Sequence, residues 1–291
     1  MTKNIDFIGI GAPRCGTSWI TNVLRSHPDI CISEPKEVRY FNREEKQFGR
    51  LKGNKNSNFD KDISWYLQRF SHAKEGQFCG EFSPIYLSDQ TAPSAIKAQF
   101  PDVKLIVCLR NPVDRAYSFY KLLSGNSVIE PMSFEQALEK ESVYVEAGLY
   151  AKDLARYLEY FDRDKILFLV FEEVISEPAR EINRIFEFLG IDPLTNMDPS
   201  KYHTNKSATR RSKKLHMYAF KISQWLIGHG LSKVLNLLRA LGAHKILNKV
   251  NAAPMKKEQM LDATRTKLKS EFREDIHKLE EMFDVDLGRW K

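Results

Sequence analysis

The sequence predicts an α/β protein of three layers, in which helices cover both faces of a parallel sheet and a P-loop-like nucleotide-binding unit opens the chain. Residues 5–10 are largely apolar, run into a glycine-rich turn and are followed by helical spacing over 18–26. Residues 105–109 and 166–170 are continuous apolar runs, as expected of central parallel strands that are buried on both faces.

The remaining elements follow from spacing and composition. A shorter strand is predicted over 78–81, and the polar segment 42–60 is predicted to be a long surface loop. Beyond about residue 199 the pattern becomes helical throughout, and it ends in an amphipathic segment over 261–283. Further helical patterns occur at 92–99, 114–124, 134–139, 150–161 and 179–189.

The length of the chain bounds its domain organisation. A chain of 291 residues is enough for one large domain or two modest ones, and 42% hydrophobic with 29% charged residues is an ordinary globular composition. We expect a single domain over 1–291. Its parts are an α/β core over about 1–198, a basic helical segment over about 199–257 and a C-terminal helix over 258–291.

Positive charge is concentrated late in the chain. Thirteen of the 45 Lys and Arg residues lie between 199 and 257, where there is no Asp or Glu, and they account for the net charge of +7. This asymmetry predicts a local anionic ligand rather than general affinity for polyanions. Two interpretations of 217–241 stay open: core-packed helices that form a substrate-side lid, or a basic amphipathic surface for a membrane or an acidic carrier protein.

The cysteines predict no covalent or metal framework. Cys15, Cys31, Cys79 and Cys108 are scattered without a C-x-x-C pair, so we expect reduced thiols and no metal site. The apolar run at the N-terminus is too short for a signal peptide or anchor, and we expect a cytoplasmic location. His27 precedes a proline at the end of a predicted helix and is predicted to be structural.

Residues 11–18, Gly-Ala-Pro-Arg-Cys-Gly-Thr-Ser, have the Gly-x4-Gly spacing of a phosphate-binding loop. Such a loop turns backbone N–H groups toward an anion at a helix N-terminus. Thr17 stands where nucleotide hydrolases carry lysine, and no strand-end aspartate suited to Mg²⁺ is evident, so we expect Arg14 to neutralise the phosphate. The predicted phosphate contacts are Arg14, Cys15, Gly16, Thr17 and Ser18. A lowered thiol pKa at Cys15 is a less favoured alternative to a small loop residue.

A second candidate anion site follows the apolar run 105–109. Arg110 would leave the sheet at a strand end, where open α/β sheets bind ligands, and Ser118 lies two helical turns further on. An arginine and a hydroxyl together suit a second phosphate. The alternative is that Arg110 only pairs with Asp114 at the start of a helix. Two anion sites at neighbouring strand ends predict a ligand with phosphates at both ends.

Together these motifs resemble the sulfotransferases that use 3′-phosphoadenosine-5′-phosphosulfate (PAPS), and within them the branch of the heparan sulfate sulfotransferases and their bacterial relatives. Residues 11–17 resemble the loop for the 5′-phosphosulfate, and 110–120 resemble the motif for the 3′-phosphate. The segment 36–41, Lys-Glu-Val-Arg-Tyr-Phe, resembles the one that supplies the catalytic base. Residues 65–67, 81–86 and 286–290 match further features.

The resemblance implies roles for individual residues. Glu37 would be the general base, Arg14 would serve both catalysis and cofactor binding, and Arg110 with Ser118 would bind the 3′-phosphate. Lys206 and Arg210 would belong to a basic loop that folds over the cofactor. Three departures stand out: Arg14 replaces a lysine, Phe82 occupies a position that often holds an active-site lysine, and Arg39 replaces the histidine of animal relatives.

The implied activity is transfer of a sulfuryl group from PAPS to an acceptor hydroxyl by in-line displacement, with PAP as product and no metal. A carbohydrate hydroxyl is the first choice by analogy, and a lipid or a carrier-bound hydroxyacyl acceptor is the alternative. Two other classes are weighed against it, a P-loop kinase or hydrolase and a non-catalytic module that binds nucleotide or nucleic acid. We expect no nucleic-acid partner, because no aromatic pattern suited to base stacking accompanies the basic residues.

Overall fold

A five-stranded parallel sheet in the order β2-β5-β1-β6-β7 forms the centre of the protein. The structure is a computed structural model that describes residues 4–45, 54–56, 58–125, 129, 132–193, 209–210, 252–253 and 259–291. The strands are β1 (Phe7–Gly11), β2 (Ile30–Ile32), β3 (Glu44–Glu45), β4 (Asn54–Lys55), β5 (Phe78–Phe82), β6 (Lys104–Leu109), β7 (Ile166–Val170), β8 (Thr209–Arg210) and β9 (Ala252–Ala253).

Helices flank this sheet, and the predicted α/β class with a C-terminal helix is confirmed. The described helices are α1 (Thr17–Arg25), α2 (Ile63–Leu67), α3 (Ala92–Gln99), α4 (Pro112–Gly125), α5 (Phe134–Lys140), α6 (Val143–Glu146), α7 (Tyr150–Leu158), α8 (Phe171–Ser176), α9 (Pro178–Leu189) and α10 (Asp262–Phe283). Short 3₁₀ turns lie at Gln68–Phe70, Pro84–Ser88, Arg163–Lys165 and Gly288–Trp290.

Two helix boundaries differ from the predicted ones, and a side-chain cap explains the first of them. α4 begins two residues earlier than predicted, because the Oδ1 of buried Asn111 accepts from the backbone N–H groups of Val113 (3.0 Å) and Asp114 (3.4 Å). α7 ends at Leu158 rather than at Phe161, which is buried in the turn that follows.

The sequence prediction missed short elements, namely the helices α2, α6 and α8 and several strands. β2 was not predicted, and β3 pairs with β4 inside the segment predicted to be a loop. β8 pairs antiparallel with β9 inside the segment 199–257, so this segment is not helical throughout. Such strands of two or three residues depend on backbone pairing with a remote segment, which periodicity along the chain cannot reveal. The rest of 199–257 lies outside the described residues, so its division from the core stays a prediction.

Close contact between glycine and phenylalanine joins the central strands. Phe7 of β1 pairs with Gly80 of β5, and Gly9 of β1 pairs with Phe82 of β5. Each phenylalanine ring covers the glycine across from it, and a methyl group added to either glycine would overlap the ring. Phe82 is therefore a core residue with no exposed surface.

α10 and the C-terminal turn pack against α4, α8 and the turn that follows β6. The apolar stripe of α10 is buried against the core, and its Arg265 pairs with Asp114 of α4 at 2.9 Å. Trp290 is buried, its indole N–H donates to Glu172, and its carbonyl accepts from Asn111. The turn after β6 is thus held from both the α8 side and the C-terminus.

The glycine–phenylalanine contact yields a stability prediction. Gly9→Ala should lower the free energy of unfolding by about 1–3 kcal/mol or more, because the methyl group overlaps the Phe82 ring. Phe82→Leu should reduce that loss, so the double variant is less destabilised than the sum of the single ones. Phe7→Leu, which alters the other contact, should not reduce it. Denaturant unfolding measures all of these, and strict additivity of Gly9→Ala with Phe82→Leu would contradict the packing argument.

Candidate active site

Three segments that follow β1, β5 and β6 meet at the carboxyl-terminal edge of the sheet. These strands are neighbours, with β1 between the other two. The glycine loop follows β1, Ser83 follows β5, and Arg110 follows β6. Ligands of open parallel sheets bind at this edge, so the topology brings the two predicted anion motifs together.

The glycine loop adopts a backbone shape that presents N–H groups at the start of α1. Arg14 and Gly16 both have positive φ angles, 74° and 79°, and Gly16 is the N-cap residue of α1. A Cβ at Gly16 would lie 2.8 Å from the Phe171 ring, which is a second reason for glycine here. No side chain caps α1, so its first turn is suited to binding an anion.

A cluster of cations lies beside this turn. The Nε of Arg14 donates to the Oγ of Ser118 at 3.2 Å, which joins the two predicted motifs directly. Burial lowers the pKa of Arg14, and the charge of Arg110 lowers it further. Burial likewise lowers the pKa of Lys121, followed by the charges of Arg110 and Arg14. These cations repel one another, so a bound anion would stabilise all three.

Arg110 has unused hydrogen-bonding capacity. Its guanidinium carbon lies 4.8 Å from the centre of the Phe171 ring, and its Nε is buried without a hydrogen-bond partner. The alternative pairing of Arg110 with Asp114 is wrong, because Asp114 pairs with Arg265. A buried arginine N–H without an acceptor is costly unless a ligand supplies one.

Lys121 was missed by the sequence analysis. It lies three residues after Ser118 on α4, a spacing that places the two side chains on one helix face. That spacing could have identified it.

Cys15 contributes its backbone to the loop and not a reactive thiol. The side chain is fully buried, and burial raises the pKa of the thiol to about 12. The lowered pKa considered as an alternative is therefore wrong, because desolvation outweighs the attraction of nearby arginines.

The two hydroxyl residues that follow Gly16 differ in exposure. Thr17 is largely buried, and its carbonyl accepts from the Thr21 hydroxyl at 2.6 Å. Ser18 is exposed, and its Oγ accepts from the Nζ of Lys36 at 3.0 Å. Ser18 therefore offers a hydroxyl at the surface of the site, whereas Thr17 packs beneath it.

Glu37 lies on the same side of the sheet in a cationic setting. Its Oε2 accepts from Arg39, with Nη2 at 2.6 Å and Nε at 3.2 Å. Its Oε1 lies 4.0 Å from the Nζ of Lys36, and about a third of the Glu37 side chain is exposed. Arg39, which departs from the histidine of animal relatives, thus binds one oxygen of the predicted base and does not bind the other.

A buried carboxylate, that of Glu81 on β5, was not predicted to have a role. It is fully buried and accepts from the Ser83 hydroxyl (2.6 Å), the Tyr86 hydroxyl (2.7 Å) and the Val38 N–H (3.2 Å). The matching motif over 81–86 was the signal available in the sequence. The spacing of this motif did not show that the side chains of Glu81, Ser83 and Tyr86 contact one another.

The same two hydroxyls hold the backbone that follows Glu37. The Oγ of Ser83 accepts from the Arg39 N–H at 2.9 Å, and the Tyr86 hydroxyl accepts from the N–H groups of Tyr40 (2.8 Å) and Phe41 (3.4 Å). Together with the Val38 N–H, which donates to Glu81, the four N–H groups of residues 38–41 are bound by the side chains of Glu81, Ser83 and Tyr86. The position of the Glu37 segment therefore depends on hydrogen bonds made to Glu81 and to the two hydroxyls that donate to it.

A family model with the description sulfotransferase domain matches residues 4–224, more than half of the chain. The chain belongs to the sulfotransferase family. This confirms the predicted family and separates the protein from the P-loop kinases that the glycine loop had left open. The match includes the glycine loop, the Glu37 segment and the Arg110 motif.

The individual relatives of this sulfotransferase include several heparan sulfate sulfotransferases, the branch that the sequence motifs resemble. It is 34% identical over 189 residues to heparan sulfate glucosamine 3-O-sulfotransferase 6 of Mus musculus, covering 62% of this chain and 51% of the relative. It is 29% identical over 210 residues to bifunctional heparan sulfate N-deacetylase/N-sulfotransferase 2 of Homo sapiens, covering 65% and 22%. The chain thus spans about half the length, or less, of these curated relatives.

A solved structure matches the sulfotransferase over nearly its whole length. The crystal structure of a sulfotransferase from Alicyclobacillus acidocaldarius superimposes with a TM-score of 0.70 at 25% identity, covering 99% of both chains. This similarity agrees with the predicted extent of the resemblance along the chain.

Two predicted cofactor residues cannot be placed in the sulfotransferase site. Lys206 lies outside the described residues, as does 217–241. Arg210 belongs to β8, where it pairs with Ala252 through the backbone. Their contact with a cofactor stays a prediction.

His27 is structural, as predicted. Its Nε2 lies 3.0 Å from the Asp192 carbonyl oxygen, and its Nδ1 accepts from the Asp29 N–H. The ring packs on Phe186.

The described part of the chain contains neither a membrane-spanning helix nor a cluster of metal-ligating side chains. None of its helices is both long and apolar enough to span a bilayer. Within the same residues, no group of three or more His, Cys, Asp or Glu side chains is arranged to hold a metal ion.

The buried Glu81 predicts a pH dependence of stability. Burial raises its pKa from 4.5 to about 7, although the hydrogen bonds from Ser83 and Tyr86 oppose this. Between those values the folded protein holds a proton that the unfolded chain releases. The free energy of unfolding should therefore fall as pH rises from about 4.5 to about 7, by up to roughly 3 kcal/mol from this group.

Glu81→Gln removes that component and serves as the comparison. The difference in unfolding free energy between the parent and Glu81→Gln, measured by denaturant at a series of pH values, should change across this window. Asp275, whose pKa burial raises to about 6, titrates in both proteins and cancels. A difference that is constant with pH would show that Glu81 does not titrate there.

Proposed function

We propose that this sulfotransferase moves a sulfuryl group from PAPS to an acceptor hydroxyl and releases PAP. The observation that carries the proposal is the hydrogen bond between Arg14 and Ser118, which joins two anion motifs into one cationic cluster. The described residues fit a ligand with two phosphate ends. The buried Nε of Arg110 lacks an acceptor, and the first turn of α1 has no side-chain cap.

Each end of the ligand has its own set of residues. The N–H groups of Gly16 to Ser18, with the guanidinium of Arg14, would hold the 5′-phosphosulfate, whereas the Cys15 N–H donates to the Ala12 carbonyl and helps to shape the loop. Arg110 and Ser118 would hold the 3′-phosphate, and Lys121 adds positive charge beside them. Lys206 and Arg210 would close over the nucleotide. When bound, PAPS supplies the activated sulfuryl group.

Glu37 is the proposed general base. It would take the proton of the acceptor hydroxyl through Oε1, because Oε2 is bound by Arg39. Arg14 would stabilise the negative charge that develops on the phosphate oxygen as the sulfuryl group leaves. Like phosphoryl transfer, such a reaction depends mainly on positioning and charge stabilisation.

The acceptor proposed first is a carbohydrate hydroxyl. Support comes from the names of the curated relatives, which are heparan sulfate sulfotransferases. A lipid or a carrier-bound hydroxyacyl chain is the alternative. Transfer from labelled PAPS to matched panels of sugar, lipid and hydroxyacyl acceptors distinguishes them. Labelling confined to the lipid or hydroxyacyl panel would overturn the carbohydrate proposal.

Removal of the proposed base should separate chemistry from binding. Glu37→Gln should reduce turnover by about 10²-fold or more, because the hydroxyl loses its proton acceptor. The affinity for PAP, measured by calorimetry, should stay unchanged, since Glu37 lies outside the proposed phosphate contacts. Equal turnover in Glu37→Gln and parent would remove Glu37 from this role.

Replacement of Arg110, in contrast, should change the affinity for PAP. Arg110→Met should weaken PAP binding by about tenfold or more, because a charge-assisted hydrogen bond to the 3′-phosphate is lost. Adenosine 5′-phosphosulfate, which lacks that phosphate, should lose little affinity. Arg273→Met, on an exposed position of α10, is the control for net charge. Similar losses for both ligands would contradict the assignment of Arg110 to the 3′-phosphate.

A further inference from the structure

Lys36 lies between the two halves of the proposed reaction. Its Nζ donates to the Ser18 hydroxyl at 3.0 Å and lies 4.0 Å from the Oε1 of Glu37. Ser18 belongs to the first turn of α1, where the phosphosulfate would bind, and Glu37 would face the acceptor. We propose that Lys36 is a further catalytic residue, whose ammonium group contacts an oxygen of the sulfuryl group during transfer. This inference rests on the proposed function.

The location of Lys36 follows from the geometry of transfer. The sulfuryl group must lie between the phosphate oxygen that leaves and the hydroxyl oxygen that attacks. A cation within reach of both Ser18 and Glu37 is therefore close to the path of the sulfur. Arg14 stands on the Ser118 side of the loop, so the two cations would act on different oxygens.

Hydrogen bonds on both sides of Lys36 hold its backbone and so determine where its side chain begins. The hydroxyl of Ser33, a fully buried residue, lies 3.1 Å from the Lys36 carbonyl oxygen and 2.9 Å from that of Pro35. On the other side of Lys36, the N–H of Val38 donates to Glu81. The Lys36 side chain therefore leaves a short segment that is anchored at both ends.

The electrostatic setting suits a cation that acts on an anion. Only 21% of the Lys36 side chain is exposed. Burial lowers its pKa, the charge of Glu37 opposes that shift, and Arg25 adds to it. A partly desolvated ammonium group interacts more strongly with a charged oxygen than a solvated one does.

The reaction balances without any further reagent. The acceptor oxygen forms a bond to sulfur, and the bond between sulfur and the 5′-phosphate oxygen breaks, with its electron pair left on PAP. The proton of the hydroxyl passes to Glu37. Lys36 stays protonated and exchanges its hydrogen bond to Ser18 for one to a sulfuryl oxygen. Nothing is oxidised or reduced.

The test compares ligands that differ only in the sulfuryl group. Calorimetry with PAP and with PAPS, in the absence of acceptor, measures both affinities for the parent, Lys36→Met and Lys36→Arg. Lys36→Met should bind PAP as the parent does and PAPS about tenfold more weakly, because only PAPS presents a sulfuryl oxygen. Lys36→Arg should keep part of the preference. Lys152→Met, at an exposed position of α7, is the matched control and should match the parent.

Transfer rates supply the second measurement. At saturating PAPS, Lys36→Met should slow transfer by about 10²-fold. If Lys36 only orients Glu37, the PAPS and PAP affinities would shift together or not at all, and Lys36→Met would cost nothing further in a Glu37→Gln background. Either result overturns the proposal. A parent protein that binds neither ligand would instead overturn the proposed function itself.

Discussion

The parallel pairing of β1 with β5 on one side and β6 on the other is the constraint on which the site depends. Because parallel strands end at the same edge, the glycine loop, the Ser83 turn and the Arg110 turn leave the sheet together. The pairing of β1 with β5 is fixed by the two glycine–phenylalanine contacts, since a slip of one residue would place each ring over the wrong partner. A packing feature of the core thus fixes the register of the two strands after which the glycine loop and Ser83 follow.

Glu81 links the core strand β5 to the segment that carries Glu37. A carboxylate buried without compensation would be protonated or would destabilise the fold. Here two hydroxyls and a backbone N–H donate to it, and each hydroxyl oxygen in turn accepts from the segment that carries Glu37. The two oxygens of the buried carboxyl group therefore orient these hydroxyls toward the segment. The hydrogen bonds join β5 to the proposed base without any direct contact between Glu81 and Glu37.

In the cationic cluster, unlike at Glu81, the charged groups are not fully satisfied by neighbouring side chains. Arg14, Arg110 and Lys121 are partly desolvated and repel one another, and no acidic side chain among the described residues pairs with Arg14 or Arg110. Such an arrangement costs stability in the free protein and is offset when an anion binds. On the other face of the same turn, Asp114 with Arg265 and Glu172 with Trp290 are paired. Among the described residues, Arg14 and Arg110 thus lack acidic partners at the predicted anion site, whereas Asp114 and Glu172 are each bound by a side chain where the helices pack.

The sequence by itself determined the α/β class, the central strands and most helices, because apolar runs and helical spacing are local patterns. It also determined the loop at Gly16 and the candidates Arg14, Arg110 and Ser118, since residue types at fixed spacing carry that chemistry. Glu37 was indicated by the resemblance of residues 36–41 to a family segment. Only the tertiary structure decided that Cys15 is buried, that Phe82 belongs to the core and that Lys121 joins the cations. It alone showed that Lys36 reaches Ser18 and that Glu81 holds the Glu37 segment. These facts depend on burial and on contacts between distant segments, and periodicity along the chain contains neither.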